Sequence, residues 1–200
     1  MKKKFYTHSR DIPHYTKNGF AVVKCPESIG RVVLDLYKMV LEFPIEEENT
    51  GQDDIRNHSQ MLSFNRFLGT VKHIHDTLLP LHEQWSGQIL EPSAVWGIRS
   101  YTKGSTLGYH TDRPLTHHIS SIIMVDKDLD GKSDWPLSIQ GHDGKYHDIY
   151  TDPGDVILYE SAACSHGRPE EFQGKYFRNF YMHYAVRDLE YIGLNNRHMD

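Results

Sequence analysis

Apolar and polar positions follow two different periods along the chain, and the change comes near residue 90. Before it, "GFAVVK" (Gly19–Lys24) predicts a first strand, and "CPES" a turn with Ser28 as a helix cap. Val32, Val33, Leu36, Val40 and Phe43 then recur at helical spacing, which predicts an amphipathic helix over Gly30–Phe43. A second helical pattern runs through Val71, Ile74, Leu78, Leu81 and Trp85; Gly87 is placed to end it, and Pro80 predicts a kink or a restart. Between the two lies "PIEEENTGQDDIRNHSQ", residues 44–60, acidic and polar. It reads as a solvated loop, with a lid over a site as the functional alternative.

After Glu91 the segments shorten and become rich in β-branched and aromatic residues: "AVWGIRSY", "HHISSIIMV", "WPLSIQG", "KYHDIYT", "DVILYE" and "KYFRNFYMHYAV". Turn clusters such as "TKGS", "DLDGKSD" and "DPGD" separate them, and Asp143–Gly144 centres a hairpin. Six or more strands without intervening helices predict an antiparallel barrel or sandwich. The expected organisation is a single domain over residues 1–200, with 1–90 as helical support and 91–190 as the barrel core.

Composition narrows the function classes. A hydrophobic share of 38% with 24% charged residues fits a folded chain, and the net charge of −5 argues against a general nucleic-acid binder. No run approaches the roughly 18 apolar residues of a membrane span, and no apolar stretch follows the basic start "MKKKFYTHSRD" as an export signal requires. Cys25 and Cys164 make no motif, so a cytoplasmic location is expected.

Several of the 14 histidines and an acidic cluster can be set aside as metal sites. Asp126, Asp128, Asp130 and Gly131 imitate a calcium loop, but its twelfth position is Leu137 where a bidentate glutamate is needed; an acidic turn is expected. His73 and His75 point about 200° apart on a helix and cannot share an ion, which makes them surface histidines. His117 and His118 face opposite ways, with one of them expected to be buried. Cys164 reads as a small buried thiol.

His110 and Asp112 pass the same test. Two residues apart on a strand, they share a face. His166, just past the strand "GDVILYE" and 54 residues beyond Asp112, can supply a third ligand. Two histidines and one carboxylate leave three positions of an octahedral ion open, the ligand set of non-haem Fe(II) oxygenases. A 2-oxoacid chelating there would carry its far carboxylate about a side chain's length from the metal, and that carboxylate calls for a fixed cation. Lys175, nine residues after His166, is the expected cation, with Arg178 on the opposite strand face as the competitor.

The stretches "SYTKGSTLGYHTDRPLTHHIS", "TDPGDVILYESAACSHGRP" and "GKYFRNFYMHY" together resemble the Fe(II)/2-oxoglutarate-dependent dioxygenases of the prolyl 4-hydroxylase-like branch. The resemblance spans about Ser100 to Tyr184. It implies a mainly β fold, a double-stranded β-helix (jelly-roll) barrel with N-terminal helices packed on one side. It implies iron on His110, Asp112 and His166, 2-oxoglutarate held by Lys175 and Tyr101, O2 as oxidant, and ascorbate support. Hydroxylation of C4 of a prolyl residue in a peptide or protein is the implied activity, with release of succinate and CO2. A free amino acid or other small metabolite is the alternative substrate, and a non-catalytic ligand-binding jelly roll the alternative class. The chain departs from the pattern in one place, since many members set the basic residue ten positions after the distal histidine. It also lacks the RxNxTxR pattern of the nucleic-acid demethylase branch.

Overall fold

Two antiparallel sheets carry the chain, as resolved in a computed structural model that describes residues 12–47, 55–56 and 59–187. In chain order the elements are β1 (Phe20–Lys24), α1 (Glu27–Val40), β2 (Glu46–Glu47), β3 (Ile55–Arg56), β4 (Ser59–Ser63) and α2 (Leu68–Ser86). Then come β5 (Leu90–Thr102), β6 (Thr106–His110), β7 (Ile119–Asp128), β8 (Leu137–Gln140), β9 (Tyr146–Ile149), β10 (Asp155–Tyr159), β11 (His166–Arg168) and β12 (Tyr176–Val186). The large sheet has the order β1-β10-β7-β12-β5-β4-β2, the small one β3-β6-β11-β8-β9. This is the expected jelly roll, built as two sheets that do not merge into one closed barrel among the described residues.

Strand β12 shows why the sheets sit as they do. Its residues are buried on both faces, and period-two alternation divides them. Phe180, Met182, Tyr184 and Val186 join the core under the helices. Asn179, Tyr181 and His183 turn to the cavity between the sheets. Helix α1 meets that core with Ile29, Val33, Leu36, Tyr37 and Val40, and α2 with Val71, Ile74, His75, Leu78 and His82. Each fully buried Leu or Ile contributes roughly 1.5–3 kcal/mol, so this layer anchors the large sheet behind the site.

The helix limits differ from expectation in ways the backbone explains. Helix α1 starts at Glu27 because Pro26, with φ −52°, occupies the cap position and its carbonyl accepts from Ile29 and Gly30. Ser28 therefore lies inside the first turn. Helix α2 runs through Pro80 without a restart; Pro80 and Asp76, whose carbonyl loses its donor, are both exposed and can be hydrated. It ends at Gly87 as expected, left-handed at φ +68°, with the Gly87 N–H donating to the Glu83 carbonyl.

Residues 44–60 are not one loop. They include β2 and β3 and the start of β4, and β4 pairs with β5 over Ser59–Ser63. Residues 48–54 and 57–58, on which much of the lid reading falls, lie outside the described residues. The first 90 residues thus add strands to both sheets besides the helices. Strand β1 pairs with β10, and buried Glu160, just past β10, accepts from the Tyr15 and Thr16 amides and the Thr16 hydroxyl. No described helix is long and apolar enough to cross a membrane.

Candidate metal centre and its cavity

His110 ends β6 and His166 begins β11, and the two residues stand directly opposite each other in the antiparallel pair. Asp112 follows β6 by two residues, held where its amide donates to the Ser161 carbonyl at 2.8 Å. One carboxylate oxygen lies 3.8 Å from His110 Nε2 and 4.0 Å from His166 Nε2. One ligand atom from each of the three lies within 4.8 Å of the others. Among the described residues no other group of three His, Cys, Asp or Glu meets that spacing.

The ring orientations suit ligation. His110 Nδ1–H donates to the Gly108 carbonyl at 2.9 Å, and His166 Nδ1–H to the Cys164 carbonyl at 3.0 Å. Both bonds select the tautomer whose Nε2 lone pair faces the site. Burial pulls the His166 pKa down, which keeps the imidazole neutral as a ligand must be. Burial alone would raise the Asp112 pKa, but His166, His183, His110 and His117 around it more than offset this, and the carboxyl is held below its ordinary value. Asp112 Oδ2 is buried without a hydrogen-bond partner. The oxygen that faces the two oriented imidazoles is Oδ1, while Oδ2 lies 3.6 Å from His183 Nδ1. Two imidazoles and one carboxylate make the donor set of a 2-His-1-carboxylate centre, which suits a divalent cation.

Gly167 makes this closeness possible. A Cβ there would meet the Leu107 and Gly108 carbonyl oxygens at 2.9 Å, so only glycine lets β11 press onto β6. Behind Asp112 lies a packed polar layer. His117 and His183 stack at 3.9 Å, and Ser120 Oγ is 2.7 Å from His183 Nδ1 and 2.5 Å from Ser161 Oγ. Burial drives the His183 pKa down to about 3. On the other side Tyr159, kept as a neutral phenol by burial, sets its ring edge-on to His166 at 4.8 Å.

The triad opens into a cavity of about 540 Å³ between the sheets. Leu107, Ile122 and Leu137 give it an apolar wall, while Arg99, Arg113 and Arg168 are its cations. Tyr101 lines it as well, 3% exposed, its hydroxyl accepting from Arg99 Nη1 at 3.5 Å.

Lys175 is placed elsewhere. Its side chain is 61% exposed at the start of β12, paired with Asp128 at 3.3 Å and Asp130 at 3.5 Å, and it does not line the cavity. Two aspartates of the mock calcium loop therefore serve as its partners. Arg178 faces the helices, stacked 3.9 Å over Tyr176 and bonded to Ser100 and Tyr37. His73 is exposed, but His75 is buried, its Nε2 3.1 Å from the His183 carbonyl oxygen. His117 and His118 are both buried, and Cys164 is a buried thiol with its pKa pushed up to about 12 by burial.

The fold is the jelly roll found in solved 2-oxoglutarate/Fe(II) oxygenase structures, and here it carries a His-Asp-His cluster. Among solved structures, a Pseudomonas putida prolyl-4-hydroxylase matches with a TM-score of 0.65 at 15% identity, over 86% of this chain and 94% of that one. A Trichoplax adhaerens prolyl hydroxylase in complex with a hypoxia inducible factor peptide fragment matches at 0.59 and 13%, over 84% of each chain. HygX from Streptomyces hygroscopicus, with nickel, 2-oxoglutarate and hygromycin B bound, matches at 0.60 and 15%, over 85% of this chain and 84% of that one. No protein-family model matches the sequence, and no curated protein does.

Proposed function

We propose that the protein is an Fe(II)- and 2-oxoglutarate-dependent dioxygenase that hydroxylates an unactivated C–H bond, with C4 of a prolyl residue in a peptide or protein as the target. The observation that carries the reading is the convergence of His110 Nε2, His166 Nε2 and an Asp112 carboxylate oxygen on the wall of a cavity large enough for a co-substrate. When bound there, Fe(II) with 2-oxoglutarate and O2 supplies the oxidising power for hydroxylation, with release of succinate and CO2.

The chain's own residues then bind, orient and exclude water. His110 and His166 present fixed lone pairs, each aligned by a backbone carbonyl behind its ring. Asp112 lowers the charge of the ion by one. Tyr101, on the cavity wall, would donate its hydroxyl proton to a co-substrate oxygen. The apolar wall of Leu107, Ile122 and Leu137 keeps bulk water from the reacting centre. Prolyl-hydroxylase structures among the neighbours support a peptide substrate, while the bound hygromycin B of HygX supports the small-metabolite alternative.

The test is anaerobic addition of Fe(II) and 2-oxoglutarate, which should give a visible charge-transfer band that His110→Ala abolishes. Retention of the band and of turnover in that variant would remove His110 from the site. Succinate release with proline-rich peptides, and a product heavier by one oxygen, is the expected activity. Stimulation by free amino acids alone would replace the peptide reading, and no turnover with any substrate would favour a binding protein.

A further inference from the structure

Among the described residues Arg168 is the largest fully buried side chain that carries a charge, 2% exposed and two residues past His166 on β11. Its guanidinium lies between two aromatic rings, 4.8 Å from the centre of Trp135 and 4.5 Å from that of Phe177. Nη1 donates to the Trp135 carbonyl oxygen, while Nη2 is buried with no hydrogen-bond partner. Among the described residues no carboxylate lies within ion-pairing distance of it. A buried cation is costly unless an anion joins it, and stacking between rings fixes its plane without neutralising its charge.

The cavity supplies the place for that anion. Residues i and i+2 of a strand share a face, and both His166 and Arg168 line the cavity. Their Cα atoms are separated by roughly 6.6 Å of strand rise, so the two side chains enter the cavity as neighbours on one strand. Tyr101 lines the same cavity and packs edge-on to Trp135 at 5.0 Å, beside the guanidinium. Lys175, by contrast, is already neutralised at the surface by two aspartates.

We propose that Arg168 provides the counter-charge for the far carboxylate of a 2-oxo dicarboxylate co-substrate, the role that spacing alone gives to Lys175. The proposal rests on the oxygenase reading above and deepens it. It makes Arg168 the residue that selects a dicarboxylate over a 2-oxo monocarboxylate, through a planar fork whose free edge is Nη2.

Calorimetric titration of the nickel-loaded protein with 2-oxoglutarate and with 2-oxopentanoate, which lacks the far carboxylate, tests it without turnover. The wild type should prefer 2-oxoglutarate by roughly 10- to 100-fold, the range of a charge-assisted pair. Arg168→Gln should bind nickel normally and lose that preference, Arg168→Lys should keep part of it, and Lys175→Ala should keep all of it. A nickel-binding Arg168→Gln protein with its preference intact overturns the assignment. So does a Lys175→Ala protein without one, a result that requires no buried substitution to fold. A wild type that binds neither nickel nor 2-oxoglutarate overturns the oxygenase reading itself, and this proposal with it.

Discussion

His166, Gly167 and Arg168 are three consecutive residues that offer three separate things: a candidate ligand atom, a place for backbone contact, and a buried positive charge. The first was legible from residue type and order. The third was legible in principle, because the alternation that joins His110 to Asp112 also puts Arg168 on the face of His166. The nine-residue spacing from His166 points to Lys175, whose aspartate partners only the fold reveals. His75 carries a similar lesson: a 200° separation from His73 bars a shared ion but leaves burial open, and Val71, Ile74 and Leu78 place it on the inner face. At this scale Gly167→Ala is expected to force β11 away from β6. The loss should be roughly 1–3 kcal/mol of stability together with weakened nickel binding, read by thermal melting and calorimetry.

The elements that the pattern identified are those with enough residues to show a period. Both helices and the strands β5, β7, β10 and β12 were visible, and the hairpin of β8 and β9 turns at Gly144 with φ +77°. Strands β2, β3 and β11 are two or three residues long, too short for any alternation to register. Strand β4 was hidden because "SQMLS" has two apolar residues and follows an acidic run. Its pairing with β5 brings Met61 and Ser63 to the cavity wall, so part of the cavity comes from a stretch in which the pattern predicts no element. Among the helix ends, Gly87 is the one whose backbone demands its residue. Gly87→Ala should cost roughly 1 kcal/mol, seen as a lower melting temperature with metal affinity unchanged.

For the whole molecule, acid stability follows from histidines kept neutral inside. Burial lowers His82 and His118 to about 4 from an ordinary 6.5. Below pH 6.5 the unfolded chain takes up protons that the folded one refuses, so stability falls as pH drops through that window and levels off near 4. Each group contributes a slope of about 1.4 kcal/mol per pH unit there. Urea midpoints at pH 7 and pH 5 should show the loss, and unchanged midpoints would contradict it. A metal ion binding only the folded form adds about 2.7 kcal/mol at a hundred times its Kd, an increment that Asp112→Ala should remove.

The pairing of β1 with β10 has a consequence for how the protein is made. Phe20 meets Tyr159 across that edge, and Glu160 secures the segment before it. A ribosome adding about 5–20 residues per second exposes the first strand roughly ten seconds before its partner emerges. During that interval "FAVVK" is a bare sticky edge on a growing chain, and a strand made well before its partner is among the last to find its place.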